Sequence, residues 1–479
     1  MAGGTFIKHD KRRPGAYINV KAPNRKGGVT GSRGVVFFVG GNVLGWGQNG
    51  IITLSPDSDF KKLLGVDLDA DLFGVTSEAT ADGAVVKIDA KKKGVLTALH
   101  ETLKGALKVL YYNINKGKTA EFKDDKLPWD FKALYPGETG NQITVGVSPN
   151  PAKAGTVIVT TYFGTEAVNK QTVKTASQLN GTEYTAVSVT DAAKADDGKA
   201  LITGLTNGIT SPLAGGTTDT TSEVDADALI NTLETQQFAI LTAAGYADDA
   251  PIHVLLANTV KRLREEAGQK VQAVIPDTVG ADYDYEGIIV VANGVVLSDG
   301  TQLSTTEAAG YIAGVESAVP LNQSLTYAVY PNASDVIGRL NNEDTILALN
   351  AGKLLFTVRN DGTVVIEQDI NSFHNFTQDK RSDLAKNRVI RVLDDIAQNT
   401  KDTFEKAFIG KITNNGAGRD LFKSNRVEYL NGLVTSGALG AFDAADISVD
   451  PGEDLDTVVV NLAVTPADAM EKLYMTVTV

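Results

Sequence analysis

Residues 270–293 read KVQAVIPDTVGADYDYEGIIVVAN. Two apolar runs of strand length, 270–276 and 287–293, flank a polar stretch. Reading outward, FAILTAA (238–244) is a third such run. Between and around them lie helical patterns: DALINTLETQ (227–236), IHVLLANTVKRLREEAG (252–268) and STTEAAGYIAGVESAVP (304–320) with Ser304 as its N-cap. After NEDTILALNAG, the runs LLFTVRN and TVVIEQDI meet at Asn360–Asp361–Gly362, a hairpin signal. Apolar strands between helices imply an α/β layer over residues 220–370.

The preceding block has a different texture. From Tyr135 to residue 219 the chain is rich in Thr, Val and Gly, with short alternating runs such as QITVGVSP, GTVIVTTYFG and YTAVSVTD separated by turn residues. This predicts an inserted β-sandwich. Residues 34–134 contain the strand VVFFVG (35–40) and a predicted helix over 93–115, in which Leu96, Leu99, Leu103, Leu107 and Leu110 fall at helical spacing. His100 lies beside that face and reads as a packed or partly exposed residue rather than a ligand. Gly45–Gly50, GWGQNG, fits GxGxxG by letter. A phosphate site needs a helix opening at those glycines. A strand and a Ser/Pro/Asp turn follow instead, so the expectation is a glycine-rich hairpin loop.

Residues 371–479 form the last block. A long helix is predicted from Thr377 to Ile409, with Ala385, Val389, Val392, Ile396, Thr400, Phe404 and Phe408 on one stripe. Its first part is basic and its second half acidic. The final residues read as strand, turn at Thr465–Asp468, and strand. In EKLYMTVTV, Leu473, Met475, Val477 and Val479 share one face and Tyr474, Thr476 and Thr478 the other. A strand at a chain end needs something to pair with.

Composition narrows the function classes. The absence of Cys removes disulfides and thiolate chemistry, and four scattered His make a histidine metal cluster an unsupported reading. No run approaches the ~20 apolar residues of a membrane span. The N-terminal sequence lacks the apolar core of a secretory signal, so folding in a cytoplasm is expected. A net charge of −13 argues against coating nucleic acid. Residues 1–33 nevertheless carry eight Lys or Arg against the single acid Asp10. That segment reads as a solvated tail, as a nucleic-acid or membrane arm, or as an arm docking on the acidic body of another copy.

Catalytic motifs are missing. There is neither a GxSxG elbow nor a P-loop. Neither His253 nor His374 sits beside a Gly-flanked serine, and the acid pairs Asp124–Asp125 and Asp248–Asp249 read as solvated. No cofactor is expected. An α/β enzyme with a β-sandwich accessory domain is the alternative reading.

Several stretches, in order, resemble the contractile-tail sheath proteins of bacteriophages and phage-tail-like particles: RPGAYINV (13–20), ALYPGETGNQITVGV (133–147), INSFHNF (370–376) with the helices after it, and VNLAVTPADAMEKLYMTVTV (460–479). The resemblance implies a subtilisin-like α/β layer without a protease triad, an inserted β-sandwich, and a C-terminal α+β assembly domain with extended arms. It divides the chain into a basic arm and hinge (1–33), a region shared between domains (34–134), the sandwich (135–219), the α/β domain (220–370) and the assembly domain (371–479). It further implies hexameric rings of this chain stacked helically around an inner tail tube protein, bounded by baseplate and tail terminator proteins. In such a virion tail, assembled in the host cytoplasm, the sheath contracts from a metastable extended state. On this view Tyr17, Ile18 and Val20 form one inter-subunit strand and Leu473, Tyr474, Met475, Thr476, Val477 and Val479 the other. Gly27, Gly28, Gly31 and Gly34 serve as hinges. Lys380, Arg381, Lys386, Arg388 and Arg391 either face the tube or form a solvated basic face. A secretion-system sheath recycled by an ATPase is a second alternative.

Overall fold

The computed structural model describes residues 2–4, 15–17, 33–41, 44–66, 68, 90–219, 223–378 and 380–478. At its centre is a seven-stranded sheet. Its order is Lys353–Leu354, Ile288–Val291, Gln272–Pro276, Ile240–Thr242, Val35–Gly41, Lys108–Asn113 and Gly50–Leu54. All neighbours run parallel except the last pair. The expected strands at 238–244, 270–276 and 287–293 therefore lie side by side.

These runs are apolar throughout because both faces of the sheet are covered. Val36, Phe38, Val274, Ile289 and Val291 enter one core with the helices Ala90–Leu103 and Thr305–Ala318. Phe37, Val39, Ala273, Ile275, Ile288 and Val290 enter the opposite core with Ala226–Thr235 and Ile252–Glu265. Ser304 and Glu307 form a reciprocal capping box on the helix Thr305–Ala318, and Asn360–Gly362 joins the antiparallel pair Phe356–Val358 and Val364–Ile366.

Two expectations fail in this region. The helix predicted over 93–115 stops at Leu103, and Lys108–Asn113 is a strand. Gly105 lies so close to the Gly314–Val315 backbone that only glycine fits there, and the β-branched and aromatic run Val109–Tyr112 then pairs with Val35–Gly41. The Gly45–Gly50 segment is not a hairpin loop, because Val35–Gly41 and Gly50–Leu54 lie on opposite sides of Lys108–Asn113.

The β-sandwich packs the sheet Glu166–Val173, Val157–Phe163, Ile143–Pro149, Ile209–Pro212 against Thr185–Val189, Trp129–Ala133, Glu121–Phe122. The second sheet draws on residues before 135, upstream of the expected boundary.

In the last block the helix begins at Asn387, not Thr377. The backbone at 385–386 is engaged with 370–371, through Asn371 N–H to Ala385 O and a bridge between Ile370 and Lys386. A helix cannot run through that pairing. From Asn387 the helix continues to Thr403 and into a π turn at Phe404–Phe408. Val389, Val392 and Ile396 are buried, as the stripe requires. Val392 and Ile396 pack with Leu430 and Leu433 of the helix Gly416–Thr435. The predicted terminal hairpin does not form. Val458–Leu462 pairs backward with Ile447–Pro451, and Pro466 bridges Leu439.

Candidate assembly surface

The C-terminal stretch is held as far as Glu471 and no further. Gly440 N–H donates to Thr465 O at 2.8 Å and Ala467 N–H to Ala438 O at 3.0 Å. The Glu471 carboxylate accepts from the Thr326 hydroxyl at 2.8 Å, from the Gln368 amide at 2.9 Å, and from the Lys386 ammonium. Burial works to raise its pKa, but these three donors outweigh burial and hold it below the usual carboxylate range. Lys472 to Thr478 are exposed and pair with no strand among the described residues. Leu473 is 86% exposed, Tyr474 90%, Met475 75% and Val477 71%. Val479 lies outside the described residues. Alternating apolar side chains left in water on an unpaired segment make this a candidate assembly surface.

A candidate receptor lies in the same domain. The two-stranded sheet Ile447–Pro451/Val458–Leu462 has both outer edges unpaired among the described residues, and Val459 and Val460 are exposed.

At the other end, Gly15–Tyr17 pairs in parallel with Ala2–Gly4 of its own chain. Ile18 and Val20 lie outside the described residues, as do Gly27, Gly28 and Gly31. Gly34 is not a hinge. Its N–H donates to Ser317 O at 2.7 Å, and its carbonyl accepts from Leu107 and Lys108, both at 3.0 Å.

The basic residues divide sharply. Lys380 pairs with Glu286 at 3.2 Å and Arg381 with Asp383 at 2.8 Å, both at the surface. Lys386 is taken up by Glu471. Arg388 and Arg391 are buried, correcting their assignment to a solvated or tube-facing surface. Arg388 donates to Gly437 O at 3.2 Å. Arg391 donates to Glu316, to Asp369 at 3.1 Å and to Gln323 O at 2.7 Å. Nearby, Arg264 grips Asp394 with two bonds of 2.6 and 2.8 Å. These pairs stitch the C-terminal helix to the α/β domain. Burial pushes the Glu316 carboxyl up to about 7 despite Arg391. The sequence offers one clue to Glu316: apart from Glu307 in the capping box, it is the one acid in a helix of small, apolar and uncharged residues.

Where open α/β sheets form a ligand crevice, tyrosine side chains here pack against the backbone. The sheet order reverses between Val35–Gly41 and Ile240–Thr242. At the end of the first strand, a Cβ on Gly40 would overlap the Tyr111 ring and one on Gly41 the Tyr246 hydroxyl. The GWGQNG loop likewise builds no anion site. Asn113 donates to the carbonyls of Trp46 and Gln48 at 3.0 Å, and Asn115 to that of Gly47 at 2.8 Å. The loop serves to insert Trp46 into the sandwich core, against Tyr135, Tyr184 and Phe163. His253 is buried on Ala247 O at 2.9 Å, and His374 Nδ1 lies 2.9 Å from Ser372 O. Among the described residues no His, Asp and Glu cluster could hold a metal, and no helix is long and apolar enough to cross a membrane.

Family comparisons agree with this arrangement of domains. The phage tail sheath β-sandwich domain matches residues 115–219, the sheath central domain 219–372 and the sheath C-terminal domain 379–479. The Bacillus subtilis phage-like element PBSX protein XkdK is 32% identical over 497 residues, spanning 100% of both chains. The chain belongs to the phage tail sheath family. The solved sheath tail protein of Desulfitobacterium hafniense superposes with a TM-score of 0.73 at 31% identity, covering 96% of this chain and 99% of that one. The helical sheath of the anti-feeding prophage in its contracted state shares the fold, with a TM-score of 0.53 at 13% identity over 98% and 99% of the two chains. In this chain the region matched by the sheath C-terminal domain carries both the exposed segment Lys472–Thr478 and the two-stranded sheet.

Proposed function

We propose that this chain is the subunit of a contractile tail sheath that polymerises by strand exchange. The observation that carries the reading is the exposed segment Lys472–Thr478, apolar on one face, projecting from the domain that also holds a sheet with two free edges. Strand addition by a neighbour would satisfy those edges and cover Leu473, Met475 and Val477. Each new hydrogen bond contributes about 0.5–1.5 kcal/mol net, so a four- or five-bond arm supplies several kcal/mol per contact. A head-to-tail contact of this kind leaves a complementary surface on each copy for the next one, so it can close a ring or continue along a helical stack.

Six copies form a ring around an inner tube, rings stack helically, and baseplate and terminator proteins bound the stack in a phage or phage-like tail assembled in the host cytoplasm. Arms 1–33 and 472–479 tether neighbours while the bodies rotate from a metastable extended state to the contracted one. Tyr17, Ile18 and Val20 act as the second exchanged strand. Lys380 and Arg381, at the surface, are the basic residues left available to an acidic tube. The α/β layer, subtilisin-like by resemblance, acts as a non-enzymatic scaffold, in keeping with the tyrosines packed against its backbone there. Deleting Glu471–Val479 tests the reading: the chain should stay folded and lose polymerisation. A truncated chain that forms normal tubes would refute it.

A further inference from the structure

The two arms leave the body from one connected set of buried and half-buried side chains. At the C-terminal root, Glu471 is held by Thr326 and Gln368 of the central domain and by Lys386 ahead of the C-terminal helix. The Thr326 hydroxyl also accepts from Asp369 N–H at 3.0 Å. The Asp369 carboxylate accepts from Asn387 at 2.9 Å and from Arg391 at 3.1 Å, and Arg391 reaches Glu316.

At the N-terminal root, Arg33 lines the same cleft of about 570 Å³ as Glu316 and Arg391. Arg33 donates to Val319 O, and Gly34 N–H to Ser317 O, both at the end of the helix that carries Glu316. Burying this much charge costs desolvation, and well-packed apolar groups would stabilise the junction at least as well. Stability alone does not explain the network.

Resting on the strand-exchange reading, we propose that Glu471 is the positioning residue from which the C-terminal arm is presented. The Thr326–Asp369–Arg391–Glu316 network fixes that root and the Arg33 root of the N-terminal arm as one unit. Free movement of the C-terminal arm then begins at Lys472.

The test is the threshold concentration for tube formation by the full chain, followed by sedimentation, together with amide hydrogen exchange. Glu471→Ala should raise the threshold about tenfold and speed exchange over 463–471 while leaving 447–451 unchanged, and Glu471→Asp should restore part of the loss. Arg33→Ala should also raise the threshold, and the double variant should be no worse than the more severe single one. Wild-type assembly by Glu471→Ala would overturn the anchor. Fully multiplicative effects in the double variant would overturn the shared unit. If either variant is unfolded, Thr326→Val, which removes only the relay hydroxyl, is held to the same expectations. Deletion of 472–479 separates the two levels. If it abolishes tubes and Glu471→Ala does not matter, only the anchor falls; if the deletion leaves tubes intact, the exchange reading itself falls.

Discussion

Glu316 carries its carboxyl in the core beside Arg391, and burial raises its pKa to about 7. A raised carboxyl pKa means that the folded chain binds a proton that the unfolded chain has released. Its contribution to stability is full below about pH 4.5 and is lost as pH rises to about 7. The stability of the wild type relative to Glu316→Gln should therefore fall by about 3 kcal/mol across that window in denaturant titrations. A flat difference would contradict the assignment. Trp46 is fully buried where the glycine loop enters the sandwich, so Trp46→Ala should cost about 3–5 kcal/mol in the same measurement. Tyr111 has no partner for its buried hydroxyl among the described residues, so Tyr111→Phe should be neutral or mildly stabilising. Little of this was legible in the sequence. Arg388 and Arg391 read as part of a basic face because they follow Lys380, Arg381 and Lys386 in the basic first part of the predicted helix. Their acidic partners, Glu316 and Asp369, lie 75 and 22 residues away from Arg391.

Elements were more legible where the physics is local. The core strands of the sheet, the capping box at Ser304, the Asn360–Gly362 hairpin and the stripe through Val392 and Ile396 all follow from short-range patterns. The pattern misled where tertiary contact overrides it. Leu107 and Leu110 keep helical spacing, yet Gly105 packs on Val315 and turns the chain into a strand. The terminal hairpin was misread because two alternating segments flank a proline turn, while the first of them had a better partner in Ile447–Pro451. That leaves the second segment, Lys472–Thr478, unpaired. A proline at Met475 should therefore leave the melting temperature of the isolated chain within about 2 °C of wild type and prevent tube formation, since it removes a donor from an exchanged strand. Assembly at the wild-type threshold would show that the segment does not pair as a strand.

At the scale of the whole molecule, the α/β layer and the sandwich stand beside a C-terminal domain whose segment Lys472–Thr478 pairs with no strand among the described residues. The α/β layer and sandwich share contacts through Trp46, and the C-terminal helix is locked to the layer through Arg264–Asp394 and Arg391. On the proposed function, such a body would move as a unit while its ends remain with neighbours. The most direct measurement is electron microscopy of the purified full chain beside the chain lacking Glu471–Val479, at matched concentration and with folding checked by circular dichroism. The account predicts tubes of regular diameter from the full chain and folded, dispersed particles from the shortened one. Regular tubes from both would contradict it.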